Sequence, residues 1–197
     1  MSLILGREKS MRKIKKLEFS DFDRIYEIME NSFPPDERRT YDDQKALLNN
    51  PKYTVYTFCE QDDILAFMAI WDLDSVAFIE HFAVRRDMRG RNIGSDMLSE
   101  IKKILFIPIC LEVELPNNDI ARRRIEFYKI NGMFLNKYDY IQPSMARGRE
   151  AVELMIMTSK GVIDWDEFQN IRNLLYTYVY DLSLPENENI KKLVHLN

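Results

Sequence analysis

The sequence predicts an α/β fold: a mixed, mostly antiparallel central sheet with helices on both faces and one further helix towards the C-terminal end. Three observations carry this. Seven short runs of alternating or continuous apolar residues, bounded by turn residues, read as strands. Between some of them, apolar residues recur at helical spacing. Three of the strand-like runs follow one another across turns too short for a crossover, whereas the next is reached only through a helix.

The elements follow in order. "IKKLEF" (14–19) is a short alternating strand. Ser20 reads as an N-cap, and the helix after it places Phe22, Ile25, Ile28 and Met29 on one face. "PPDERRT" (34–40) breaks that helix, and a short helix over 41–49 ends before Pro51. "YTVYTFCE" (53–60), "ILAFMAIW" (64–71) and "VAFIEHFAV" (76–84) form an antiparallel meander. A helix with Ile93, Met97, Ile101 and Leu105 on one face leads to the strand "ICLEVEL" (109–115), which should lie parallel to 76–84. A helix over 119–132 closes at Gly132. The strands "MFLNKYDYI" (133–141) and "AVELMIMT" (151–158) are joined by the loop "QPSMARGRE". Asp164 starts a last helix with Trp165, Phe168, Ile171, Leu174, Leu175 and Tyr178 apolar, and a polar tail follows Pro185.

Composition narrows the class. The chain has 197 residues, 46% hydrophobic and 30% charged, enough for one globular domain with an appendage. Residues 12–158 read as the domain, 159–197 as a C-terminal helix and polar tail, and 1–11 as a tag or disordered extension. A net charge of −4 gives no case for nucleic acid as a partner. No apolar run reaches the roughly 20 residues that span a bilayer, which leaves no membrane partner. Cys59 and Cys110 sit in apolar strands and read as reduced core thiols of a cytoplasmic protein.

The stretch "RRDMRGRNIGSDML" (85–98) holds two of only six glycines among four arginines, immediately before a helix. A helix N-terminus offers free N–H groups and the positive end of the helix dipole. Gly90 and Gly94 let a backbone approach an anion, and Asn92 tolerates left-handed geometry. Arg89 and Arg91 add charge, and Ser95 adds a hydroxyl. Together these describe a pyrophosphate site, although a plain turn with a solvated basic loop accounts for the same residues. The stretch lacks the Gly-Lys-Ser/Thr ending of a P-loop, and no G-x-G-x-x-G follows the first strand.

"HFAVRRDMRGRNIGSDML" resembles the acyl-CoA signature of the GNAT superfamily of N-acetyltransferases, with Arg89-Gly90-Arg91-Asn92-Ile93-Gly94 at its centre. "LEVELPNNDIARRRIEFYKINGMF" is similar to the second hallmark of that superfamily, here Phe127-Tyr128 followed by Gly132-Met133. The predicted element order is also the one the superfamily uses. The resemblance implies a GNAT-like fold and an acyltransferase that moves an acetyl group from acetyl-CoA, as co-substrate and without a metal, to a primary amine by direct attack in a ternary complex. It implies that Phe82, Ala83 and Val84 meet the pantetheine arm. The turn Arg89 to Ser95, Ile93 included, would hold the pyrophosphate, and Asn117 or Asn118 would stand in for an asparagine that the family carries seven residues before the tyrosine, where this chain has Ala121. It casts Tyr128 as the acid that protonates the leaving thiolate. It also points to a base near Glu80, which alternation puts on the face shared with Phe82 and Val84, with His81 on the opposite face. The acceptor side would come from the first two helices and the late strands: the rim "SFPPDERRTY" (32–41) with Phe33, and Tyr138, Tyr140 and Gln142. Glu112 and Glu114 are further acidic candidates for drawing in a cationic amine, and Arg122, Arg123 and Arg124 read as a solvated helix face. The expected partners are a coenzyme A thioester and a small or peptidyl amine, for a monomer or homodimer. Two other readings stay open: a non-catalytic acetyl-CoA-binding module, and a dimerising interaction protein with the same fold.

Overall fold

A computed structural model describes residues 12–143 and 151–182. The expectations for residues 1–11, for most of the loop 142–150 and for the polar tail after Pro185 fall outside the described residues. Four strands, β1 (Arg12–Lys16), β2 (Tyr53–Glu60), β3 (Asp63–Asp72) and β4 (Ala77–Val84), pair antiparallel in chain order. Their tight turns need left-handed backbone, which Gln61 (φ 57°) and Asp74 (φ 64°) supply. Helix α1 (Phe22–Glu30) and helix α2 (Tyr41–Ala46) lie between β1 and β2. Helix α3 (Ile93–Ile104) then carries the chain to β5 (Ile109–Glu114), which runs parallel to β4. After α4 (Asp119–Ile130) come β6 (Phe134–Gln142) and β7 (Val152–Thr158). The single sheet has the order β1-β2-β3-β4-β5-β7-β6, so β7 is inserted between β5 and β6. Helix α5 (Trp165–Leu174) continues through one π-helical stretch, Leu175–Val179.

Each face of the sheet builds its own core. On one face, Phe22, Ile25 and Met29 of α1 and Phe168, Ile171 and Leu175 of the C-terminal helix meet Phe67, Trp71 and Phe78 of the sheet. On the other, Ile93, Met97, Leu98 and Ile101 of α3 and Ile125 and Tyr128 of α4 cover Met68, Ile70, Ile79, Leu111 and Met157. Cys59 and Cys110 are both buried free thiols, and burial pushes the Cys110 thiol up. Among the described residues no helix is long and apolar enough to cross a membrane.

Several local expectations need correction. Ser20 lies inside a short 3₁₀ turn, Phe19–Asp21, and the residue capping α1 is Asp21. The π-helical stretch rephases the end of the C-terminal helix, so Tyr176 and Val179 are buried while Tyr178 is 45% exposed. The most consequential correction lies in β4. Ala69 pairs with His81 and Ile70 with Ile79, so Glu80 is the extra residue of a β-bulge. Glu80 therefore shares the α1/α5 face with His81, and strict alternation, which assigns it to the face of Phe82 and Val84, fails at that point.

Candidate active site

The sheet opens where β4 and β5 stop pairing. Their ladder runs only from Ala77↔Ile109 to Ile79↔Leu111, yet β4 continues to Val84 and β5 to Glu114. A cavity of about 790 Å³ fills the split, lined by residues of both strands and of α3 and α4. Among the described residues, the β5-facing edge of β4 has no strand partner from Glu80 to Val84, which leaves its peptide groups open to an extended ligand.

At the end of β4 the chain makes the glycine-arginine turn. Gly90 has φ 75°, and Asn92, the residue before α3, is left-handed at φ 61°, ψ 8°. This geometry starts α3 at Ile93, and the first-turn amides of Ile93, Gly94 and Ser95 have no intrahelical acceptor. All three residues line the cavity with Gly90 and Asn92. Arg89 also lines it, its Nε donating to Val84 O at 3.2 Å. Gly94 is required for a different reason from Gly90. A Cβ there would sit 3.2 Å from Phe127 Cζ, so the absent side chain lets α3 and α4 close together. Arg91 and Asn117 are exposed and outside the cavity lining. The asparagine that caps α4 is Asn118, whose side chain accepts from the Ala121 amide. Arg85 is tied to Asp63 and Asp87, at 2.5 and 2.8 Å.

Three titratable side chains in the cavity wall differ in character. Burial pushes the Tyr128 hydroxyl up to about 12, so it keeps its proton at neutral pH. Burial alone would raise Glu80, but the Arg39 guanidinium at 2.5 Å and the neighbouring His81 outweigh it and hold the carboxyl at about 2. Arg39 also donates to Val179 O, and His81 Nε2 lies 3.0 Å from Glu37 O. The bulge thus fastens the segment between α1 and α2 to the sheet. Glu112 is the reverse case: burial dominates and lifts its carboxyl to about 7, against the hydroxyls of Tyr140 and Tyr180, which donate to it.

The remaining expected residues divide. Phe33 and Gln142 line the cavity. Tyr140 is buried and reaches the site only through Glu112. Tyr138 is outside the lining, packed against Trp165 and Phe168 with its hydroxyl on Ile163 O. Glu114 pairs with Arg124 at 2.7 Å on the cavity rim, and Arg124 stays exposed there, as expected for the arginine run. Sequence reasoning missed Arg39 and Tyr180. Arg39 is one charge in a polar rim segment, and Tyr180 follows an aromatic run whose spacing reads as a helix face.

Comparison with known proteins places the fold. The acetyltransferase (GNAT) family model matches residues 22–133, more than half of the chain. A GNAT-family protein from Bacteroides thetaiotaomicron superposes with a TM-score of 0.80 at 29% identity, covering 87% of this chain and 99% of that one. A variant of the spermidine N-acetyltransferase SpeG from Vibrio cholerae gives a TM-score of 0.57 at 12% identity, over 76% of this chain and 93% of that one. At that identity the likeness concerns the fold alone. YjbC of Bacillus subtilis is 29% identical over 106 residues, 53% of each chain, so the match spans about half the length of this curated relative.

Proposed function

Because the chain belongs to the acetyltransferase (GNAT) family, we propose that the cavity between β4 and β5 moves an acetyl group from acetyl-CoA to a primary amine, with both held at once. The observation that carries this reading is the meeting, in one cavity, of an unpaired strand edge, a helix N-terminus opened by two left-handed residues, a proton-holding tyrosine and a carboxyl poised near neutrality.

The residues fit a coenzyme A thioester. The open edge at Phe82, Ala83 and Val84 offers amides and carbonyls to an amide-containing arm. Gly90 and Asn92 turn the first α3 amides towards the cavity, where, with Arg89 and Ser95, they would hold a pyrophosphate. Acetyl-CoA supplies the acyl group as an activated thioester. An alkyl ammonium with a pKa of about 10 must lose a proton before it can attack. Glu112 takes that proton at a carboxylate oxygen, since its carboxyl titrates at about 7 and lines the cavity. Glu80, held at about 2 by Arg39, is a poor acceptor and instead anchors the α1–α2 segment. Tyr128 gives its hydroxyl proton to the departing sulfur, and the proton that the nitrogen sheds as the amide forms restores the phenol. Phe33 and Gln142 border the acceptor side.

Thiol release from acetyl-CoA across a panel of primary alkyl amines tests the reading. Amine-dependent release is expected, with kcat lowered about 10²-fold and KM for acetyl-CoA nearly unchanged in Tyr128→Phe. No amine-dependent release across the panel would overturn it.

A further inference from the structure

Glu112 lies within the segment matched by the family model, but both hydroxyls that donate to it lie beyond residue 133, the end of the match. Tyr140 comes from the edge strand β6 and donates to Oε1. Tyr180 follows the π-helical stretch, with its hydroxyl 2.9 Å from Oε1 and 2.7 Å from Oε2. Tyr140 is 2% exposed, and burial together with the charge of Glu112 pushes both phenols well above their ordinary range, so each remains a donor. Tyr180 is itself fixed: its backbone amide donates to Leu175 O, closing the π-helical stretch, and Arg39 holds the carbonyl just before it. These contacts lie between a helix outside the family match and the cavity floor inside it.

We propose that Tyr180 and Tyr140 are positioning residues that clamp the Glu112 carboxylate, making the C-terminal helix a working part of the active site. The proposal rests on Glu112 as the proton acceptor. A hydrogen bond to a carboxylate favours its ionised form, so each clamp hydroxyl offsets part of the burial that holds a proton on Glu112. The other groups around Glu112 are accounted for. Glu80 and His81 face it from β4, the first raising and the second lowering its titration, and Arg39 neutralises Glu80. Tyr176 interacts with Glu112 from the π-helical stretch, and Cys110 from β5 itself. Tyr176 has its hydroxyl on Ile141 O, so only Tyr140 and Tyr180 donate directly among these tyrosines.

The test is a pH titration of the full chain carrying ¹³C-labelled glutamate carboxyls, with the Glu112 resonance identified by its loss in Glu112→Gln. Tyr180→Phe should move the Glu112 midpoint upward by about one pH unit, the value of one hydrogen bond to a charged group. Amine-dependent turnover should fall about fivefold at pH 7, approach a tenfold loss at lower pH and recover at alkaline pH. KM for acetyl-CoA should not change, since the cradle is untouched. Tyr140→Phe should give the same direction of shift, and it carries the test if Tyr180→Phe does not fold. A midpoint and pH–rate profile superimposable on wild type, beside an inactive Glu112→Gln, would overturn the clamp while leaving the base. Wild-type turnover in Glu112→Gln would instead remove the base, and the clamp with it.

Discussion

Glu80 and Glu112 face one cavity, yet their surroundings push them in opposite directions. Burial disfavours both charges, and the difference is the partner: a guanidinium for Glu80, two phenols for Glu112. The consequence extends to stability. Between about pH 4.5 and 7 the folded chain keeps a proton on Glu112 that the unfolded chain has lost, so stability falls as pH rises through that window. The full effect is on the order of 3 kcal/mol. Glu80 has the opposite sign: its depressed titration contributes stability that is present above about 4.5 and is lost as pH falls towards 2. Thermal melts should therefore show wild type losing stability from about pH 4.5 to about pH 7, while Glu112→Gln stays nearly flat over that range. Parallel curves for the two proteins would show that Glu112 does not hold its proton in the fold.

At the scale of the element, the sequence made the strands and helices legible because their periods are local. β2 runs over the expected 53–60, and the expected Phe22, Ile25, Ile28 and Met29 are buried in α1, joined by Tyr26. The glycine-arginine turn was legible as a left-handed helix start for the same reason, since its glycines, asparagine and helix start are contiguous. What could not be read was the bulge at Glu80, because an extra residue is defined by the partner strand and leaves no trace in the alternation of β4 alone. Gly94 was legible as a required glycine but not for the right reason. Its neighbour Phe127 is distant in sequence, and the contact only exists once α3 and α4 have packed. The two glycines of that turn should therefore fail differently. Gly90→Ala meets nothing within 4 Å and carries only the cost of a left-handed residue, about 1 kcal/mol. Gly94→Ala forces its Cβ to within 3.2 Å of Phe127, and overpacking of this kind costs about 1–3 kcal/mol. Melts of the two variants, and of Gly94→Ala combined with Phe127→Leu, check this: the second substitution should recover most of the loss. If it recovers nothing, the ring is not the obstacle.

Across the whole molecule, fold class and the parallel β4–β5 crossover could be inferred from connection lengths, but the order of the last strands could not. Neither turn chemistry nor periodicity says that β7 seats itself against β5 while β6 is left at the edge. Tyr180 was hidden by the same distance, since its partner Glu112 belongs to a strand 68 residues earlier in the chain. The strand order has a consequence for how the molecule comes together. β6 precedes β7 in the chain yet has no place on the sheet until β7 lies beside β5. β6 and β7 must therefore join as a hairpin and dock as one piece, or β6 must wait for its inner neighbour. The first route involves fewer distant closures before contacts are rewarded, so it should dominate the rate. Truncating Leu135, whose partner across the hairpin is Met157, should then slow refolding. Truncating Ile14 in β1, at the other edge, should mainly hasten unfolding. Chevron plots of the two variants would separate these outcomes, and an unchanged refolding limb for the Leu135 variant would mean that the sheet is completed only after the rate-limiting barrier.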